Sequence, residues 1–118
     1  MQSRKDSALK LAKKLRKELI KSLGGPLEVI LFGSQARGEA TEESDIDVLV
    51  LVPKLEEGTL DSILDVAWEV GFEAGKVISV VPATFEEMRR LSASPFFRTI
   101  EREGIKVNED LKWEEICL

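Results

Sequence analysis

Two aspartates one residue apart, Asp45 and Asp47, open an otherwise apolar run, D-I-D-V-L-V-L-V, ending at Val52. Side chains two positions apart on a strand point the same way, so both carboxylates face one spot, roughly 7 Å apart at the backbone. Like charges placed side by side repel and raise one of the two pKa values unless a cation lies between them. Mg²⁺ suits such a pair, because it takes few carboxylates, keeps waters and fills its shell from substrate phosphates. Ile46, Val48 and Val50 then face the other way, into a core. The plainer alternative has Asp45 capping a turn and Asp47 solvated at a strand end.

Separated from Asp45 by ten residues stands Gly33-Ser34, directly after the short apolar stretch E-V-I-L-F of residues 28–32. A strand that ends in Gly-Ser and turns into a helix presents backbone N–H groups and a hydroxyl to whatever lies in front, which is an anion site suited to phosphate. Glycine at 33 allows close approach because no side chain intervenes. Arg37, three residues past Ser34, is placed to pair with a phosphate oxygen or an internal carboxylate. By itself Gly-Ser after a strand is also an ordinary turn.

The elements that must position these groups are legible in outline. Residues 3–23 place Ala8, Leu9, Ala12, Leu15, Leu19 and Leu23 at helical spacing, and Gly24-Gly25-Pro26 ends that helix. A strand over 28–32, a short helix from Gly33, a polar turn over Thr41–Ser44 and a strand over 45–52 stopped by Pro53 follow. Thr59 is the expected N-cap of a helix through about Val70, with Leu60, Ile63, Leu64, Ala67 and Trp68 on one apolar side. Gly71 and Gly75 bracket the next turn. A third strand is expected over 76–81, ended by Pro82. Thr84 with Glu87 forms a capping box, Pro95 opens a further helix, Gly104 closes it, and residues 105–107 read as a last short strand. The fold class this order implies is α+β, or α/β in looser usage: a small mixed sheet with helices packed on one face and the site on the open face.

The bulk composition bounds the rest. A chain of 118 residues with 43% hydrophobic residues is expected to form one domain over residues 1–118. There is no histidine, which excludes His-based acid–base catalysis and His-ligated zinc and leaves hard, oxygen-bound metal. One cysteine, Cys117, cannot form an internal disulfide and has no activating neighbour. The longest apolar run, Val48 to Val52, is far too short to span a bilayer, and no segment has a signal-peptide layout, so a cytoplasmic protein with no membrane partner is expected. Net charge is -5 but uneven: residues 1–23 hold eight lysines and arginines against Asp6 and Glu18, whereas the remainder holds nine against twenty acids. The basic first helix is read as a solvated face, the alternative being a surface for an acidic partner; a chain this acidic is a poor general nucleic-acid binder.

Taken together, Gly33-Ser34, ten residues and Asp45-x-Asp47, filled in as G-S-Q-A-R-G-E-A-T-E-E-S-D-I-D-V-L-V, resemble the signature of the DNA polymerase beta-type nucleotidyltransferase superfamily, in its minimal nucleotidyltransferase branch. The signature spans about 25 residues, Glu28 to Val52. The closing segment from Ser94 to Ile105 is also similar to that of such small domains. The resemblance implies Gly33 and Ser34 holding a triphosphate, with Arg37 supporting the loop or the phosphates. It places Ser44 beside the triphosphate, and Asp45 and Asp47 as the catalytic carboxylates that ligate Mg²⁺. It further implies transfer of a nucleoside monophosphate, AMP from ATP, to an acceptor hydroxyl. Small members of this branch pair with a separate all-helical HEPN-type protein, and some are antitoxins that attach AMP to a tyrosine of that toxin. A homo-oligomer stays open as a further possibility.

The pattern departs from the family at one place. A third carboxylate is expected from the strand over 76–81, and none is there; Ser79 occupies its position and Glu73 is the nearest acid in sequence. Serine is a poor Mg²⁺ ligand and no general base at neutral pH. An inactive, nucleotide-binding antitoxin or adaptor that neutralises its partner by contact alone is therefore the competing reading. Trp68 is expected in the core, Phe96-Phe97 and Trp113 against the sheet or in a docking patch. Transfer to a small molecule or to RNA fits less well, since those relatives carry extra acceptor-gripping domains.

Overall fold

The structure is a computed structural model that describes residues 3–107; the expectations for Trp113 and Cys117 lie outside those residues. The chain forms α1 (Arg4–Leu23), β1 (Glu28–Phe32), α2 (Gly33–Arg37), β2 (Ile46–Val52), α3 (Glu57–Ala74), β3 (Ile78–Thr84), α4 (Phe85–Arg90), α5 (Pro95–Glu103) and β4 (Ile105–Val107). The strands make one mixed sheet in the order β3-β2-β1-β4. β1 runs antiparallel to β2 and to β4, and β2 runs parallel to β3, which requires the α3 crossover. This is the mixed α/β architecture expected.

Helix α1 forms where the apolar spacing places it. Ser3 caps it by accepting the Asp6 N–H at 3.0 Å, and Gly24 closes it. Ala8, Ala12, Leu15 and Leu19 are its buried positions, and they join Val48, Val50 and Ile63 in the main core between the sheet and the two long helices. Leu15 is fully buried there, so Leu15→Ala is expected to cost about 2–5 kcal/mol, read as a lowered midpoint in urea unfolding at unchanged slope. The other sheet face carries a smaller cluster, in which Leu49 and Leu51 of β2 meet Phe97 and Ile100 of α5. Helices thus lie on both faces, and α5 covers part of the face expected to stay open.

Several boundaries differ from the sequence reading: β2 starts at Ile46, leaving Asp45 in the loop before it, and β3 starts at Ile78 rather than at 76. α3 begins at Glu57, so Thr59 lies inside its first turn rather than at the cap. It also runs through Gly71 to Ala74. Gly71 is glycine for a packing reason: a Cβ there would sit 2.6 Å from the Lys76 carbonyl oxygen, so its absence lets the helix lie against the incoming strand. β3 continues past Pro82 to Thr84, because it is an edge strand and a residue whose N–H points outward forfeits no ladder bond. The Thr84–Glu87 capping box forms as read, with Thr84 Oγ1 accepting the Glu87 N–H and Glu87 Oε1 accepting the Thr84 N–H, both at 3.0 Å.

Trp68 is not in the core. The buried positions of α3 are Ile63, Ala67, Val70 and Gly71, and Trp68 faces solvent, stacked on Phe72. The helix carries more apolar residues than one contact face can cover, so the spacing alone admitted either side.

Candidate active site

β1 delivers the chain to Gly33, where φ turns to 76° and α2 starts with no side-chain cap on its first turn. The β1–β2 register pairs Phe32 with Asp47, which brings the Gly-Ser corner and the second aspartate side by side. The approach is close: a Cβ built on Gly33 would collide with Asp47 Oδ2 and lie 3.2 Å from its Cγ. Glycine at 33 is thus required twice, by the left-handed backbone and by the carboxylate in front of it.

Asp45 ends the loop and Asp47 is the second residue of β2, half-buried beside exposed Asp45. The parallel pairing of β2 with β3 sets Ser79 opposite Asp47, and Ser79 Oγ donates to Asp45 Oδ2 at 3.3 Å. Ser79 therefore stands at the expected third-ligand position and bridges toward the carboxylate pair. Burial pushes the Asp47 carboxyl above its ordinary value, the Asp45 charge pushes it further, and the Arg37 charge partly offsets both. The pair is thus a concentration of negative charge that Arg37 only partly compensates, the condition a bound cation relieves. Among the described residues no third acid joins it. Glu73 instead pairs with Lys14 at 3.0 Å on the surface.

Arg37 faces carboxylates. Its Nε donates to Glu39 Oε2 at 3.0 Å and its guanidinium lies 3.6 Å from Glu103, so hydrogen bonding and charge from both acids raise its pKa. It ties the α2 corner to α5, and its field reaches Asp47. Ser44 serves the preceding turn: its Oγ accepts the Thr41 N–H at 2.9 Å and its own N–H donates to the Thr41 carbonyl oxygen, which fixes the entry into Asp45.

Gly33, Arg37, Asp45, Asp47 and Ser79 are therefore brought to one end of the sheet, with Ser34 beside Gly33 in α2 and Ser44 holding the loop. The sequence reading missed a cavity of about 380 Å³ next to Gly33, walled by Phe32, Phe96, Arg37 and Glu103. Phe96 packs edge-on to Phe32 with ring centroids 5.7 Å apart, while its neighbour Phe97 is buried against the sheet. The amphipathic spacing of α5 separates these two rings only once its seat on the sheet is known.

Residues 12–107 match the sequence profile of the nucleotidyltransferase domain. A Methanocaldococcus jannaschii protein named as a candidate protein adenylyltransferase is 34% identical over 77 residues, covering 65% of this chain and 73% of that protein. The bifunctional uridylyltransferase/uridylyl-removing enzyme of Burkholderia orbicola is 33% identical over 69 residues, 55% of this chain, which spans only 8% of that enzyme's length. In three dimensions the fold is similar to a candidate nucleotidyltransferase from Sulfolobus solfataricus, with TM-score 0.58, 22% identity and coverage of 87% of this chain and 81% of that one. It is similar as well to a chain of a toxin–antitoxin crystallised with AMP-PNP, with TM-score 0.57, 20% identity and coverage of 88% and 78%. On the profile match over most of its length, supported by the relative from M. jannaschii, the chain belongs to the nucleotidyltransferase domain family.

Proposed function

We propose that this domain transfers AMP from ATP to a hydroxyl of a separate protein, a tyrosine of an all-helical HEPN-type toxin, and so acts as the antitoxin. The observation that carries the reading is the apposition of Gly33 with Asp47, which sets a phosphate-accessible corner against a carboxylate pair. The adenylyltransferase name of the M. jannaschii relative and the toxin–antitoxin pairing of one structure sharing the fold favour AMP and a protein acceptor. In this reading the Gly33 and Ser34 amides and the Ser34 hydroxyl hold the triphosphate, and Arg37 stiffens the corner through Glu39 and Glu103. Asp45 and Asp47 are the residues that would hold Mg²⁺, whose role when bound is to draw charge from the α-phosphate and from departing pyrophosphate. The acceptor oxygen bonds to the α-phosphorus as the bond to the β-phosphate oxygen breaks. With Ser79 where a further acid would stand, no third carboxylate among the described residues joins Asp45 and Asp47 to take the acceptor's proton, which then passes to solvent. A phenol, with pKa about 10, needs that help less than an aliphatic alcohol, which favours tyrosine.

The test is incubation of the protein with α-labelled ATP, Mg²⁺ and the helical partner it binds. Label on a partner tyrosine, lost in EDTA, is expected; tight binding of that partner without any transfer overturns the reading. A second reading, neutralisation by contact without chemistry, draws on Ser79 in place of an acid. It requires Asp47→Asn to protect against the toxin as well as the wild type does, whereas transfer requires that protection to be lost.

Ser79→Asp probes the metal directly. A third carboxylate beside Asp45 and Asp47 is expected to cost about 1 kcal/mol in EDTA, and added Mg²⁺ is expected to raise its Tm more than that of the wild type. Equal Mg²⁺ shifts in the two proteins would place the cation elsewhere.

A further inference from the structure

One exposed apolar surface among the described residues lies outside the carboxylate site. Leu64, Trp68 and Phe72 recur every fourth residue on α3 and are 46%, 67% and 69% exposed, and Val77, just before β3, is 61% exposed. Trp68 and Phe72 lie flat on one another with ring centroids 5.0 Å apart. Large apolar side chains aligned along one helix face mark an interaction surface rather than scattered exposure. Along α3 its border is acidic, while Lys76 stands beside Val77 and Lys14 pairs with Glu73 at the far end. α3 carries Glu57, Asp61, Asp65, Glu69 and Glu73 and no lysine or arginine, and Asp61 and Asp65 flank the stripe at helical spacing. Pairing α3 with α3 of a second copy would set acids against acids, which disfavours a self-complementary dimer here. The stripe also leads to the site: the Val77 carbonyl oxygen accepts the N–H of Ile46, the residue between Asp45 and Asp47, at 2.9 Å.

We infer that the Leu64–Trp68–Phe72–Val77 stripe docks a separate protein through an amphipathic helix whose apolar face is flanked by lysine or arginine, and that this contact presents the acceptor to the site. The second half of that statement rests on the proposed transfer to a protein; the first does not. The aromatic pair supplies rigid contact area at low entropic cost, and the acidic border selects the sign of the partner.

The chain has two tryptophans, so Trp113→Phe makes Trp68 the only one and its emission reports the stripe. The probe is a synthetic 18-residue amphipathic helix with leucines on one face flanked by lysines, and its counterpart with glutamates in place of the lysines. The lysine peptide is expected to shift Trp68 emission to the blue, saturably, and to bind at least tenfold more tightly than the glutamate peptide. Phe72→Asp, at an exposed position that leaves folding intact, is expected to weaken binding at least tenfold. The double variant Asp61→Lys, Asp65→Lys is expected to reverse the preference between the peptides. Equal binding of both peptides, or of Phe72→Asp and wild type, overturns the proposal. So does Trp68 emission already blue-shifted in the free protein, whether sedimentation shows a dimer (a second copy covers the stripe) or a monomer (the chain covers it itself). In the transfer assay Phe72→Asp should raise KM for the protein acceptor and leave ATP binding unchanged. Peptide recognition as expected with no nucleotidyl transfer sustains the docking surface and removes only its link to catalysis.

Discussion

Asp47→Asn is expected to lower kcat for nucleotidyl transfer by about a thousandfold while leaving the fold as stable as before or more so. The amide keeps the shape of the side chain and removes the charge that would hold the cation, a loss of several kcal/mol of transition-state stabilisation. Stability moves the other way because the native site disfavours that charge. Burial and Asp45 raise the Asp47 carboxyl, and Arg37 only partly compensates. A carboxyl raised on folding holds its proton more firmly in the native state, so the ionised form costs stability as pH rises through the folded pKa. In EDTA at neutral pH the asparagine variant should therefore melt at or above the wild-type temperature, and the gap should close below the ordinary carboxylate range, where Asp47 is protonated. A variant that melts well below wild type, or that keeps its turnover, would show that Asp47 has a structural part instead.

Gly33→Ala tests the apposition from the opposite side. The alanine must take φ near 76°, which costs about 1–2 kcal/mol, and its Cβ has to displace the Asp47 carboxylate. A shift on the scale of 1 Å at a catalytic group is worth about a hundredfold in rate. The expected result is a Tm lower by several degrees and turnover reduced about a hundredfold, measured well below the melting transition. Gly38 supplies the control. It has the same φ of 76° and open space where a Cβ would go, so Gly38→Ala carries the backbone strain without the collision. Gly38→Ala should lose stability and keep its activity. Equal activity losses in the two variants would mean that strain in the α2 corner, not contact with Asp47, controls the site.

The carboxylate pair, the Gly-Ser corner and the Thr84 capping box were legible because each depends on residues a few positions apart. Alternation along β2 puts Asp47 on one face and Ile46, Val48 and Val50 on the other, and that separation holds in the two core clusters. Arg37 was narrowed to a phosphate or an internal carboxylate, and its partner Glu39, two residues on, lies within reach of sequence reasoning. Its second carboxylate, Glu103 on α5, is distant in sequence, and only the fold brings it to 3.6 Å. Trp68 was read wrongly for the same reason. Helical periodicity reports that an apolar arc exists, but which part of a wide arc meets the sheet depends on how α3 is rotated against β3, and that is a property of the packed pair.

Local chemistry along the chain thus determined the element types, the two acids at the start of β2 and the glycine that precedes them, since backbone sterics and the periods of strand and helix act over a few residues. Only the tertiary structure decided that Gly33 lies against Asp47, that Ser79 pairs opposite Asp47 and donates to Asp45, and that Leu64, Trp68 and Phe72 are left facing solvent. Those outcomes depend on strand register and helix rotation, which are selected by the summed burial of the whole core rather than by any one segment.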